Sequence, residues 1–210
     1  MAMAPKARSR PQQQRAREMR RRLLDAALQV ITKRGIQALS TQGIADTAHV
    51  SIGTVYRYFP DRAGILAELV DEATRDISFE LVRGVSAAMD RDALDAAHIV
   101  VDTLTTAYEK HAAILHAALN SSSFDIPAYL NHTAMDEIER SLLPLGSAIP
   151  GRARPDLDAD QLQDLVFVTM GVTSSACLRI ALQRPPGSNR DAMVALTARM
   201  LAAALTPDPS

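Results

Sequence analysis

The chain has 210 residues, 47% hydrophobic and 22% charged, with a formal net charge of −1, so it can bury a sizeable core and is neither a polybasic nor a polyacidic protein as a whole. Its one cysteine, Cys177, excludes an intramolecular disulfide and suits a reducing cytoplasm, where the protein is expected to work. No run of about 18 apolar residues stands out, and no apolar core follows the N-terminal arginines as in a signal peptide, so neither a membrane span nor a secretory leader is expected.

The charge is unevenly placed. Residues 1–62 hold twelve Lys and Arg against four Asp and Glu, whereas residues 63–210 hold eleven against twenty. A basic head on an acidic body is the electrostatic footprint of a DNA reader whose body has another task. Residues 1–14, rich in Pro, Gln, Arg and Ala without apolar periodicity, read as a disordered basic tail. Arg15 to Arg22 fit a solvated tail less well, because they lead straight into the helical face of Leu23, Leu24, Ala27, Leu28 and Ile31.

The stretch from Thr41 to Tyr58, TQGIADTAHVSIGTVYRY, has the pattern of a helix-turn-helix. Ala45, Ala48, Val55 and Phe59 are the small or apolar residues that pack two short helices together. Thr54, Tyr56, Arg57 and Tyr58 are left facing outward. His49, Val50 and Ser51 form the turn, and Ser51 is a good N-cap for a helix starting at Ile52, since its hydroxyl accepts an orphan N–H. Gly53 in that helix's first turn costs roughly 1 kcal/mol of propensity against alanine; its expected compensation is a close approach of backbone to DNA. After Phe59 and Pro60, Asp61 is a plausible N-cap for a further helix carrying Ile65, Leu66, Leu69 and Val70.

The segment IADTAHVSIGTVYRYFPDRAGILAELV resembles the signature of the tetracycline-repressor (TetR) family of bacterial transcriptional regulators. The resemblance covers residues 15 to 70, about a quarter of the chain, and is most specific at Tyr56, Arg57, Tyr58, Phe59 and Pro60. His49 departs from it, standing where the family usually has a glycine at positive φ. Histidine is among the non-glycine residues enriched in that region, so His49 is expected there as a tolerated turn residue. Arg62 stands where the family usually has lysine, which keeps a cation at the start of the fourth helix.

Beyond residue 70 the chain reads as helical throughout. Leu94, His98, Val101, Thr105 and Tyr108 recur on one face of a helix from about Arg91 to Glu109, capped by Asp90. Shorter helices follow near 111–119 and 126–143, separated by the loop Ser121, Ser122, Ser123, and Pro144 to Pro155 reads as a connector. Two strong segments close the chain, about Asp158 to Gln183 and Asn189 to Leu205, with Ser188 and Asp191 resembling a capping box for the last. Val166 to Val172 is apolar around its whole circumference. Such a helix is covered on both sides, here by its own domain and by a second subunit. The last helix agrees, with Met193, Leu196 and Met200 on one face. In the TetR resemblance these two helices pair with their symmetry mates in a four-helix dimer interface.

The expected fold is therefore all-α: a disordered tail over 1–14, a three-helix helix-turn-helix domain over 15–62, and a helical effector-binding and dimerisation domain over 63–210. Thr41, Gln42, Tyr58 and Arg62, near helix ends, suit phosphate contacts. Ser51, Ile52, Gly53, Thr54, Tyr56 and Arg57 make up the rest of the DNA-facing set. In it Ile52 or the Thr54 methyl suits thymine methyl groups, and Arg57 suits either guanine or phosphate. A homodimer on a palindromic operator follows, since one short helix contacts too few base pairs for specificity.

The effector pocket is expected in the body, with Tyr108, Phe124, Met135, Phe167, Met170, Ser174 and Cys177 as candidate lining. Residues of this kind at helical spacing more often make plain core. Thr169, Thr173, Ser174 and Ser175 offer hydroxyls to a mostly apolar ligand, or back-bond within their own helix. His98, His111, His116 and His132 show no metal-ligand spacing, and His98 reads as a core histidine. No metal or cofactor is implied. Catalysis lacks a Gly-rich phosphate loop, a G-x-S-x-G and an H-E-x-x-H. The sequence thus points to a non-enzymatic, ligand-responsive repressor released by a small, mostly apolar effector. An all-helical enzyme or ligand-binding protein with a basic tail, and a helical adaptor that binds only protein, are the alternatives.

Overall fold

The computed structural model describes residues 9–120 and 147–207, and every regular element among them is helical. In chain order the α-helices are α1 (Ser9–Arg34), α2 (Thr41–Ala48), α3 (Ile52–Tyr58), α4 (Arg62–Ala88), α5 (Ala93–Lys110), α6 (Ala112–Leu119), α7 (Ala148–Ala153), α8 (Ala159–Gln183) and α9 (Arg190–Ala204). A 3-10 turn, Ile36–Ala38, links α1 to α2. The expected helix over 126–143 and the Ser121–Ser123 loop lie outside the described residues.

Most helix starts are fixed by short side chains that accept otherwise orphaned N–H groups, each typically worth about 1 kcal/mol. Ser40 accepts from Gly43 N at 3.0 Å, Ser51 from Thr54 N at 3.2 Å and Asp61 from Gly64 N at 2.8 Å. Asp158 and Gln161 form a reciprocal capping box at the start of α8. Two expected caps are displaced. Asp92 rather than Asp90 caps α5, accepting from Leu94 and Asp95, because the Arg91 N–H is used to close the end of α4 on the Ala88 carbonyl. Asn189 caps α9 through Ala192 N, while the Ser188 hydroxyl turns back to the Pro185 carbonyl instead of forming a capping box.

Three other expectations change. Helix α1 reaches back to Ser9, so residues 9–14 continue a helix where a disordered tail was expected. The proline-rich connector contains the single-turn helix α7, which buries Ile149 and Pro150. Helix α8 is long and apolar enough, by length and composition, to cross a bilayer, although its sequence shows no unbroken apolar run: scattered polar residues interrupt the run without making the segment polar.

The hydrophobic core is divided along α4. One cluster joins Leu23, Ala27 and Ile31 of α1, Ile44 and Ala45 of α2, Val55 of α3, and Ile65, Leu66, Leu69 and Ala73 of α4. Ile114, Ala117 and Ala118 of α6 complete it, so packing does not stop at the boundary expected after residue 62. A second cluster gathers Ile77 of α4, Val101 and Leu104 of α5, Cys177 of α8 and Val194 and Ala198 of α9. A third joins Val85 and Ala88 to Ala96, Ile149 and Leu205. Helices α4 and α5 cross closely at Gly84, where a Cβ would lie 2.9 Å from the Thr103 side chain. On α5, Val101 and Thr105 are buried as expected from the periodicity, but Leu94 and His98 are exposed. The inward face at that end is instead formed by Ala96 and Ala97, so His98 is not a core histidine.

The turn between α2 and α3 depends on His49, whose backbone is left-handed at φ 52, ψ 50. Its N–H bonds to the Asp46 carbonyl at 3.2 Å, and Val50 N–H reaches the Ala45 carbonyl at 3.0 Å. This is the Schellman closure in which glycine is the usual occupant. His49→Gly removes a Cβ penalty of roughly 1–2 kcal/mol and adds a comparable unfolded-state entropy of about 0.4–1 kcal/mol. Thermal denaturation should therefore show it neutral or mildly stabilised. Clear destabilisation would mean that the imidazole makes a stabilising contact in the groove it borders with Glu18, Arg22 and Gln29.

Candidate nucleic-acid interface

Helix α3 is only seven residues long, and its orientation is set by what it buries. Val55 and the following Phe59 are sealed in the head, against Ala45 and Ala48 of α2. Ala45 is wholly buried, as it must be where two helices approach closely. With Val55 inward, Ser51, Ile52, Gly53, Tyr56 and Arg57 are exposed along the outer face, Tyr56 to 54%. Apart from its chain neighbours and its own helix backbone, the nearest atom to the site where Gly53 would carry a Cβ is the Ser51 hydroxyl at 3.9 Å. The subunit itself therefore does not require glycine there.

Other candidates have partners within the protein. Thr41 Oγ1 donates to the Tyr56 hydroxyl at 3.3 Å, tying the start of α2 to the middle of α3. The Thr54 hydroxyl is 2.9 Å from that of Ser51, which engages its oxygen at the cap. Gln42 Nε2 donates to Asp46 Oδ1 at 2.7 Å on the exposed side of α2. Tyr58 is half-buried against the head's core, and the Arg57 guanidinium lies 5.2 Å from its ring centre. Arg62 is exposed at the first turn of α4. All ten residues thus fall on α2, α3 and their flanks, four of them exposed on α3 and Ser51 exposed at its cap.

The basic stretch divides. Arg15, Arg17 and Arg22 are exposed on α1. Arg20 and Arg21 are engaged internally: Arg20 with Glu68 and the Tyr58 carbonyl, Arg21 with Glu72 at 2.8 Å and with Asp25 at 2.9 Å. Hydrogen bonding to Glu68, helped by that carboxylate's charge and opposed by burial, raises the Arg20 guanidinium above the ordinary arginine value. Sequence reasoning missed these pairs, because the partners are 48 and 51 residues apart.

In the body, the Tyr108 hydroxyl meets Ser174 Oγ at 2.7 Å, and burial pushes its pKa up against the opposing effect of that hydrogen bond. Cys177 is fully buried beside this pair, its thiol also pushed up by burial, with a weak contact to the Val101 carbonyl at 3.6 Å. Met170 is half-buried. Thr169 back-bonds to the Leu165 carbonyl at 2.6 Å. Phe167 corrects the expected pocket lining: it is 74% exposed and turns out of the subunit. Phe124 and Met135, as well as His132, lie outside the described residues. Among the described residues no group of three or more His, Cys, Asp or Glu is placed to hold a metal.

Phe167, Val168 and Val172 on α8 and Leu196 and Met200 on α9 are all more than half exposed, forming an apolar outer surface on the body's last two long helices. Met193 is half-buried on the same helix. The N-terminus of α9 is fastened to α5 by Arg190, which reaches Asp102 at 2.7 Å, Glu109 at 2.9 Å and Thr106 at 2.7 Å.

Comparison with known proteins agrees with this geometry. Residues 23–69 match the family model described as bacterial regulatory proteins, tetR family. The chain is 44% identical over 50 residues, 24% of its length, to the HTH-type transcriptional repressor KstR of Mycobacterium tuberculosis, and the match spans 23% of that repressor. It thus spans about a quarter of such relatives. Whole-chain likeness is structural: the fatty acid degradation regulator FadR from Bacillus halodurans has a TM-score of 0.59 at 19% identity, covering 88% of this chain and 94% of that one. The transcriptional regulator FadR from Bacillus subtilis, solved in complex with stearoyl-CoA, has a TM-score of 0.62 at 16% identity, over 87% and 97% of the two chains. Residues 23–69 thus carry a helix-turn-helix head similar to that of the tetR family of bacterial regulatory proteins, on an all-helical body with the fold of these regulators.

Proposed function

We propose that the protein is a transcriptional repressor that binds a palindromic operator as a homodimer and is released by a small, mostly apolar effector. The observation that carries this reading is the outer face of α3, where Ile52, Gly53, Tyr56 and Arg57 project from a helix locked by Val55 and Phe59. Ile52 offers an apolar contact for a thymine methyl, Arg57 offers donors to guanine or phosphate, and Gly53 lets the backbone come close. Gln42, Ser51 and Arg62 flank these residues as phosphate-positioning groups. Thr41, Thr54 and Tyr58, with partners inside the head, act through the orientation of α2 and α3 as much as by contact.

The second subunit is proposed on the apolar face of α8 and α9. An exposed surface holding Phe167, Val168, Val172, Leu196 and Met200 is the type that marks an interaction site. A second copy covers it without exposing the apolar length of α8 to water. A twofold dimer then presents two α3 helices to successive major grooves, roughly 34–36 Å apart on a palindrome. Work in the cytoplasm follows from this role.

Effector binding is proposed in the body near Tyr108, Ser174 and Met170, where a half-buried hydroxyl pair lies beside apolar packing. Two structural relatives are solved with lauroyl-CoA and stearoyl-CoA, so acyl thioesters, whose acyl chain supplies the apolar part and whose CoA portion is charged, are the first probes.

Selection from random duplexes should enrich an inverted repeat, and Tyr56→Ala should weaken the selected site far more than random DNA. Equal losses on both would assign Tyr56 to phosphate alone. Leu196→Glu or Met200→Glu places an unpaired carboxylate in the proposed seam, at a cost of several kcal/mol if it stays dry. Sedimentation should show monomers, and a mutant that remains dimeric and keeps operator affinity would move the interface elsewhere. Lauroyl-CoA, titrated at fixed salt, should lower operator affinity in proportion to its preference for the DNA-free conformation. Tight binding of the thioester that leaves operator affinity unchanged would refute the coupling.

A further inference from the structure

We infer that Arg20 on α1 is a positioning residue for the recognition helix, holding the C-terminal turn of α3 at the angle that presents Tyr56 and Arg57. The inference rests on the operator-binding reading above and adds a residue outside its contact set. Three elements meet at this guanidinium. Nε donates to Glu68 Oε1 on α4 at 2.7 Å, and Nη2 donates to Glu68 Oε2, a bidentate pair. Nη1 donates to the carbonyl of Tyr58, the last residue of α3, at 3.1 Å. The guanidinium carbon also lies 4.5 Å from the ring centre of Phe59, itself almost fully buried.

A seven-residue helix leaves most of its carbonyls without an intrahelical donor, so its far end is held only by what caps it. At the near end Ser51 supplies that hold, and Val55 anchors the middle. At the far end Phe59 N–H closes on the Val55 carbonyl at 3.0 Å, and the Tyr58 carbonyl receives Arg20. Glu68 in turn fixes the guanidinium plane, since a carboxylate accepting two parallel N–H groups permits one orientation. Lysine reproduces the charge but neither the fork nor the stacked plane. Arg20 side-chain exposure is 44%, so solvent screens the charge, but three of its five N–H donors already point into the protein. It is therefore poorly disposed to neutralise phosphate.

The test measures affinity for the selected operator and for a scrambled duplex of equal length over a salt series, with wild type, Arg20→Lys, Arg20→Ala and Glu68→Gln. Each variant's folded fraction is checked by circular dichroism at the assay temperature, and affinities are referred to active protein. A positioning role predicts that Arg20→Lys and Glu68→Gln each weaken operator binding about ten- to a hundredfold. Affinity for the scrambled duplex should stay within about threefold, and Arg20→Ala should leave the salt slope unchanged, because no phosphate contact is lost. Operator binding at wild-type affinity by Arg20→Lys overturns the inference. So does a fall of about one in the salt slope for Arg20→Ala, which would make Arg20 a phosphate ligand. Glu68→Gln, which keeps the shape of the partner, decides the question if Arg20 variants fail to fold. Absence of any preferred duplex for the wild type would instead remove the operator-binding reading itself, and this inference with it.

Discussion

Ile65, Leu66, Leu69 and Ala73 close the core of the DNA-binding head, and Ile77, Val85 and Ala88 of the same helix enter the two clusters of the body. Helix α4 is thus shared by both halves without a break. A rotation that repacks one set of side chains displaces the other, because closely packed interiors shift between discrete arrangements instead of deforming smoothly. Helix α6 adds a second tie, since Ile114, Ala117 and Ala118 pack into the head while the corner before it is fastened to α4: Asp76 accepts from Lys110 at 2.6 Å and pairs with His111 Nε2 at 2.7 Å. Hydrogen bonds from Lys110 first and His111 second keep the Asp76 carboxyl below the usual carboxylate range. These contacts give a physical route by which an event in the body alters the setting of α3.

The head was legible in the sequence because its determinants are local. Small Ala45, branched Val55, the Ser51 cap and the left-handed turn at His49 all act within a few residues of one another, and each stands in the structure as its chemistry requires. What the sequence concealed is long-range. Arg20 and Arg21 look like phosphate binders in a basic run until α4 brings Glu68 and Glu72 against them. Helical periodicity sets the period of α5 but not its phase, so Leu94 and His98, expected on the inward face, turn outward at that end. Phe167 was ambiguous for a different reason: a segment apolar all round has no polar side to say which residues face the subunit's own core.

That ambiguity carries the strongest constraint on assembly. Helix α8 has the length and composition of a membrane span, yet Val166, Thr173, Cys177 and Ile180 are buried, Cys177 in the cluster shared with α5 and α9. Asp158 caps the start of α8, and Arg190 fastens neighbouring α9 to α5. The apolarity left on the outer side lies on the adjacent helices α8 and α9, the surface on which a second copy is proposed.

The central claim is that head and body share one cooperative structure through α4 and α6. Native-state amide hydrogen exchange over a series of sub-denaturing urea concentrations, at one protein concentration, tests it most directly. The account predicts that the most protected amides of the head, such as those of Ile44 and Val55, exchange through the same opening as those of Val101 and Cys177 in the body, with equal free energy and equal urea dependence. Head amides that exchange through a separate opening of lower free energy and smaller urea dependence, with the body still protected, would contradict it.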